Sequence, residues 1–174
     1  MVIYLKKNNI NKIYFITLIL FLIDFATKKI IVQKMDLLKS FEIIPNFFYI
    51  TYVQNNGAAW SILKGNTILL SIVSLVAFIA VGNYMKKVRN LNIKSIIAFA
   101  FVLSGILGNF VDRVCYGYVV DFLDFKLFGY DYPVFNLADI MIVVGIVMLI
   151  VLMVRGEVDA DNSKEGISKN RSVS

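Results

Sequence analysis

The chain has 174 residues, a net charge of +6 and no histidine, and 59% of its residues are hydrophobic. Its mean hydropathy of +0.74 is typical of a polytopic membrane protein, because soluble domains are only about half apolar. The lack of histidine excludes histidine-based catalysis and histidine-ligated metal sites, which leaves carboxylates as the acid–base groups near neutral pH. Cys115 is the single cysteine, so an intrachain disulfide is also excluded.

Four apolar segments are long enough to cross a bilayer, which takes about 20 residues as a helix. The predicted helices cover residues 13–32, 67–85, 95–111 and 135–154. The first is the least regular, because Asp24, Lys28 and Lys29 follow its apolar core, and a cleaved signal peptide is the alternative interpretation. A retained helix is favoured, since no small-residue cleavage site follows and the apolar character resumes at Ile30.

Basic residues flank these segments on one side. They precede the first helix, separate the second from the third and follow the fourth: Lys6, Lys7, Lys12, Lys86, Lys87, Arg89, Lys94 and Arg155. Cytoplasmic flanks are enriched in such residues, so both termini and the short loop are expected in the cytoplasm, and the positive charge needs no nucleic-acid partner. We expect one membrane domain over residues 1–156, followed by a disordered polar tail over 157–174.

The two longer connections, residues 33–66 and 112–134, then face outward. Each contains a segment rich in aromatic and β-branched residues, "FFYITYV" (47–53) and "YVVDFLDFKLF" (118–128), which favours strand. The predicted fold class is therefore a mainly α membrane protein with four transmembrane helices and a small extracytoplasmic sheet at the membrane surface.

This orientation brings aspartates from separate segments to one level, near the outer boundary of the membrane. They are Asp24, Asp112, Asp121 and Asp139. Ionisable groups at membrane depth are functional candidates, provided that their partners can be named.

Several of these charges have an expected structural partner. Asp24 and Lys28 are spaced i, i+4 and can pair on one helix face. Arg113 is expected to form a bidentate pair with a carboxylate, with Asp112 in the same network. Asp124 has the opposite strand parity to Asp121, which predicts that it points elsewhere and is solvated.

Asp121 and Asp139 have no cation adjacent in sequence. If they face each other in a poorly hydrated site, one of them stays protonated. The ionised member can then take a proton from water while the neutral one protonates a carbonyl oxygen. Charge placement alone leaves open a catalytic dyad, an ion or proton pathway of a transport protein, and a structural network. A lipid transferase holding magnesium on Asp121 and Asp124 is a further alternative.

Five motifs together resemble the lipoprotein signal peptidase (signal peptidase II) family of bacterial membrane aspartic peptidases. They run in that family's order and spacing across about residues 13–154. They are "DFATK" (24–28), "VQNNGAAW" (53–60), "GNFVDR" (108–113), "VVDF" (119–122) and "FNLADI" (135–140). The second motif alone indicates only a turn entering a helix, since Asn-Gly is a common turn pair.

The resemblance implies four transmembrane helices, a surface β-cradle and a small amphipathic element. It implies Asp121 and Asp139 as catalytic residues, with no cofactor and no metal. Residues that support the dyad or contact substrate would be Asp24, Lys28, Asn55, Gly57, Asn109, Asp112, Arg113, Asn136 and Ala138. Small residues at Gly57, Ala58 and Ala59 would leave room for the substrate.

The implied reaction removes the signal peptide from a lipid-modified prolipoprotein, just before a cysteine that carries diacylglycerol. The enzyme would be a monomer in the bacterial inner membrane, in contact with membrane lipid and with its active site near the extracytoplasmic face. Phe25 stands where the family often has glutamine and Trp60 where phenylalanine is common. Cys115 matches no motif and is expected to be a small buried residue.

Overall fold

The structure is a computed structural model that describes residues 2–57, 65–88, 91–127 and 130–158. It is mainly helical with a small antiparallel sheet, as predicted. Within these residues the elements follow one another as α1 (Val2–Lys34), β1 (Ser40–Ile44), β2 (Phe48–Asn55), α2 (Thr67–Lys87), α3 (Ile93–Tyr116), β3 (Val119–Leu127), β4 (Tyr130–Asp131) and α4 (Leu137–Val154).

Three helices, α2, α3 and α4, are long and apolar enough to cross a membrane, among the residues that the structure describes. Their bounds differ from the predicted ones mainly at α3, which is 24 residues long. The first helix, α1, is 33 residues long and runs from Val2 to Lys34. It begins well before the predicted residue 13, because the residues before Ile13 include neither proline nor glycine to interrupt it.

Helix α3 lies at the centre of the bundle and contacts α1, α2 and α4. The apolar core gathers around it and includes Ile13, Met85, Phe99, Leu103 and Leu152. Helix α4 approaches α3 closely at Gly145, where a Cβ would lie 2.9 Å from the carbonyl oxygen of Ala98. A larger residue at this position would therefore separate the two helices.

Local capping explains where α3 and α4 begin and end. The Asn92 side chain accepts a hydrogen bond from the Ser95 N–H (2.9 Å), and Gly117 ends α3 with a left-handed φ of 79°. Helix α4 begins after Asn136. This start lies two residues after the predicted one, because Phe135 pairs with Leu123 of β3 instead.

The four strands form one antiparallel sheet in the order β1-β2-β3-β4. The two predicted strands are β2 and β3, and in their register Asp121 lies opposite Val53. Because β1 follows α1, β3 follows α3 and α4 follows β4, the sheet lies at the end of the bundle where α1 and α3 finish and α4 starts.

The described residues include the first two positions of the tail that was predicted to be disordered, Glu157 and Val158. The Asn92 amide donates to Glu157 (3.2 Å), and Val158, which is 1% exposed, joins the core. Residues 159–174 lie outside the described residues, as do Ala58, Ala59 and Trp60.

Candidate active site

Asp121 lies on β3 and is 2% exposed, at the end of the bundle that carries the sheet. Two asparagine amides hold its carboxylate. Asn55, the last residue of β2, donates to Oδ2 at 2.8 Å, and Asn136 donates to Oδ1 at 2.6 Å. Each oxygen of Asp121 therefore has one N–H donor, which fixes the plane of the carboxyl group.

Asp139 lies in the first turn of α4, where it forms a capping box with Asn136. Its Oδ2 accepts the Asn136 backbone N–H at 3.2 Å, and its own N–H donates to Asn136 Oδ1 at 3.0 Å. Asn109 of α3 donates to the other oxygen, Oδ1, at 2.7 Å. The pattern N-x-x-D is a variant of the known helix-start signature, and this signal in the sequence could have predicted the geometry around Asp139.

Both carboxylates line one open cleft of about 820 Å³. Asn136 connects them, because its side chain donates to Asp121 while its backbone N–H donates to Asp139. The polar part of the cleft also includes Asn55, Asn109 and Arg113, and one wall is apolar. That wall was not predicted, and it includes Ile140, Ile142, Val143 and Val144 of α4.

The environment of Asp121 favours its protonated form. Burial raises the pKa of Asp121 to about 7, and the nearby charge of Asp139 acts in the same direction. Hydrogen bonds from Asn55 and Asn136 and the charge of Lys28 oppose this rise only in part. Near neutral pH a large fraction of Asp121 therefore carries a proton that it can donate.

A buried cation lies behind the two carboxylates. Lys28 of α1 is 3% exposed, and its Nζ lies 2.9 Å from Asp24 Oδ2 and 3.0 Å from Asp112 Oδ2. The predicted Asp24–Lys28 pair is confirmed. Asp24 also accepts the Ala138 N–H (3.0 Å), and Asp112 accepts the Val120 N–H (3.2 Å), so the cluster joins α1, α3, β3 and α4.

Arg113 contacts backbone oxygens. It donates to the carbonyl of Asn109 at 3.2 Å and to that of Gly57 at 3.4 Å. Among the described residues it forms no ion pair, so the predicted bidentate pair with a carboxylate is wrong. Asp112, expected in a network with Arg113, instead pairs with Lys28. The Gly57 N–H in turn donates to Asn55 Oδ1 at 3.0 Å.

Two other side chains near these motifs lie outside the cleft. Asp124 is half-buried and accepts a hydrogen bond from Thr51 Oγ1 at 2.5 Å. It does not share the surroundings of Asp121, in line with its strand parity, but the prediction that it is solvated is wrong, because Thr51 of β2 partly covers it. Cys115 is exposed, so the prediction that it is buried is wrong: the last turn of α3 turns this residue away from the core.

Comparisons with known proteins agree with this architecture. The family model described as signal peptidase (SPase) II matches residues 16–155. The chain belongs to the signal peptidase II family. It is therefore a membrane protease, a hydrolase, and its long apolar helices are those of a transmembrane protein.

Individual relatives cover nearly the whole chain. A lipoprotein signal peptidase of Staphylococcus aureus strain MRSA252 is 39% identical over 160 residues, which is 92% of this chain and 96% of the relative. That of strain JH9 is 38% identical over the same length. Two solved structures of a bacterial membrane enzyme are each 38% identical, with TM-scores of 0.77 and 0.74. They cover 83% and 82% of this chain, and 88% and 92% of the solved chains.

Proposed function

We propose that this protease removes the signal peptide from diacylglyceryl-modified prolipoproteins by cutting just before the lipidated cysteine. The relatives are named lipoprotein signal peptidases. The observation that carries the proposal is that Asp121 and Asp139, from separate elements, are both held by Asn136 in one cleft. A polar floor next to an apolar wall of α4 suits a peptide bond that adjoins an acylated residue.

Asp139 acts as the general base and Asp121 as the general acid. Asp139 takes a proton from water, the water oxygen attacks the scissile carbonyl carbon, and Asp121 gives its proton to the carbonyl oxygen. The tetrahedral intermediate then collapses: its C–N bond breaks, the proton on Asp139 passes to the leaving nitrogen, and Asp121 recovers a proton from a hydroxyl. The reaction needs no cofactor and no metal.

The assignment of these roles follows from the surroundings of the two carboxylates. Asp121 has a pKa of about 7, raised by burial and by the charge of Asp139, so near neutral pH a large fraction of it carries a proton to donate. Asp139 is only half-buried, whereas Asp121 is 2% exposed, so Asp139 is the member that the attacking water reaches more easily, and we assign it as the base. Arg113 adds positive charge close to both aspartates.

The other residues support the dyad or the substrate. Asn55, Asn109 and Asn136 orient the two carboxylates. Arg113 lines the cleft near the end of β2 and is suited to contact the peptide backbone, and the buried Gly57 supports it by accepting its hydrogen bond. Asp24, Lys28, Asp112 and Ala138 support this arrangement from behind through the buried cluster around Lys28.

We place four spans in the bacterial inner membrane, with α1 as the fourth. Its residues Phe15, Leu18 and Leu22 are 64%, 52% and 51% exposed and apolar, as expected of a lipid-facing surface, while Ile13 and Asp24 on its other face are buried. Basic residues lie at the end away from the sheet: Lys86, Lys87, Lys94 and Arg155. That end is then cytoplasmic, and the cleft opens at the extracytoplasmic face. The enzyme acts as a monomer in contact with lipid, within one domain over residues 1–156.

The test is cleavage of a diacylated prolipoprotein by the purified protein, compared with the unlipidated form of the same precursor. Cleavage of the lipidated form alone is expected, and it should persist in a chelator. Asp121→Asn and Asp139→Asn should each lower kcat by at least about 1,000-fold, since each removes one half of the acid–base pair. Asp124→Asn, a matched change on the same strand outside the cleft, should leave kcat within about twofold. Near-normal turnover by Asp139→Asn would refute the dyad.

A further inference from the structure

The side chain of Asn109 connects Lys28 to Asp139. The Lys28 Nζ donates to Asn109 Oδ1 at 3.0 Å, in addition to its contacts with Asp24 and Asp112. An ammonium group has three N–H donors and no acceptor. Toward Asn109, Lys28 can therefore only donate.

This constraint decides which way the Asn109 amide faces. Its Oδ1 accepts from Lys28 and from Asn136 Nδ2 (3.2 Å), and its Nδ2 is left to donate to Asp139 Oδ1 at 2.7 Å. A flipped amide would turn its NH₂ toward two donors and its carbonyl oxygen toward the carboxylate of Asp139. Each of these contacts is repulsive in a buried site.

The same direction of donation continues through Asn136. Its Oδ1 accepts the Asp139 N–H, so its NH₂ faces Asn109 and Asp121. Donors at both ends of the chain of amides, Lys28 on one side and the backbone of α4 on the other, therefore direct N–H groups at the two carboxylates.

We propose that Lys28 is a positioning residue for catalysis: by donating to Asn109 it fixes the amide orientation that keeps an N–H on Asp139. This inference rests on the proposed dyad function. It gives the buried lysine a role beyond neutralising Asp24 and Asp112. Lys28 does not touch the reacting atoms, and its whole influence on Asp139 passes through Asn109.

A double-mutant cycle tests this route. Lys28→Met, Asn109→Ala and the double variant are compared with the parent protein on a lipidated substrate, with rates normalised to folded protein. In the parent, Lys28→Met should lower kcat by about 10- to 100-fold, as expected when a hydrogen bond to a charged group is lost, with KM changed much less. In the Asn109→Ala background the same change should cost less than about threefold, because the amide that Lys28 orients is gone.

Lys29→Met is the matched control, since Lys29 is the next residue and is exposed. It should leave kcat within about twofold. An equal loss from Lys28→Met in both backgrounds would overturn the proposal, since Lys28 would then act independently of Asn109. If Asp121→Asn and Asp139→Asn retain activity, the dyad itself is wrong; if they are inactive and the cycle is additive, only the role of Lys28 is wrong.

Lys28→Met also leaves Asp24 and Asp112 without their cation, so folding is checked by monodispersity and thermal unfolding in detergent. Where that variant does not fold, Lys28→Met combined with Asp112→Asn replaces it in the cycle. The combination keeps the formal charge of the three-residue cluster at −1, because one positive and one negative charge are removed together. The same coupling to Asn109 is expected.

Discussion

The two ends of the helical bundle are both buried, but by opposite chemistry. Away from the sheet, the helices meet through apolar side chains such as Ile13, Met85, Phe99, Leu152 and Val158, each at most 3% exposed. At the sheet end, α1, α3 and α4 meet through Asp24, Lys28, Asn109, Asp112 and Asn136, each at most 6% exposed. The same helices therefore join an apolar core to a polar network.

The difference indicates what each end is for. Apolar burial stabilises in proportion to area and is non-directional. A buried polar network contributes only when every member is paired, and replacing such a network by apolar residues is often neutral or stabilising. Stability alone does not account for the polar end. Its hydrogen bonds fix the orientation of the asparagine amides, which donate to Asp121 and Asp139.

Substitutions of two glycines, one at each end of the bundle, test this difference. They are expected to have the largest combined effect on stability and activity. A Cβ at Gly108 would contact Asp24 Oδ2, whereas a Cβ at Gly145 would meet Val102 (2.7 Å) and the backbone of Ala98. Gly108→Ala should disrupt the Asp24–Lys28 pair, at a cost of about 3–5 kcal/mol, and should also lower kcat at least about tenfold. Gly145→Ala should cost about 1–3 kcal/mol from overpacking while kcat per folded molecule stays within about twofold.

Gly82→Ala is the control, because nothing lies within 4 Å of its Cβ position. Thermal unfolding in detergent gives the stability of each variant, and cleavage of a lipidated precursor gives kcat. If Gly145→Ala lowered kcat as much as Gly108→Ala, the apolar and polar ends of the bundle would not differ in their effect on catalysis.

The pH dependence of cleavage sharpens the comparison at the polar end. Burial, with the charge of Asp139, raises the pKa of Asp121 from 3.8 to about 7. Because the proposed acid, Asp121, must be protonated to act, kcat/KM should fall about tenfold per pH unit well above pH 7. The raised pKa also means that the folded state binds more protons than the unfolded state between about pH 4 and 7. The stability contributed by this group is therefore present below that window and is lost as pH rises through it.

The measurement is kcat/KM between about pH 5 and 9, with thermal unfolding over the acidic half of that range. Asp121→Asn should remove this group's contribution to the fall in stability. A flat kcat/KM profile across neutral pH would show that Asp121 is not the acid.

Much of this site could be predicted from the sequence, for physical reasons. Helical rise and chain direction fix depth in a membrane, so Asp24 and Asp139 could be placed at one level, and the i, i+4 spacing paired Asp24 with Lys28 correctly. The neighbouring element that each side chain of a helix faces could not be predicted in the same way. Asp112 and Arg113 are adjacent in sequence, yet α3 turns Asp112 toward α1 and Arg113 toward the end of β2.

The position of Asn136 in the sequence contains a further signal for the geometry of the site. The hydrogen bonds of Asn136 to both aspartates follow from its position as the cap of α4, three residues before Asp139. Cys115 is a case in which the sequence is misleading. A small apolar side chain in an apolar helix suggests burial, but the residue is exposed. The side that the last turn of α3 exposes depends on neighbours distant in sequence.

Cys115 also gives the smallest expected effect, and it tests whether position at the sheet end is enough to matter. The residue lies three positions after Asp112 in α3 but does not line the cleft. Cys115→Ala should therefore leave kcat and stability within about twofold and about 0.5 kcal/mol. Because the thiol is exposed, a maleimide should label the parent protein without stopping cleavage, and should not label the variant. If the maleimide inhibited the parent protein but not Cys115→Ala, the functional region at this end would extend beyond the polar network.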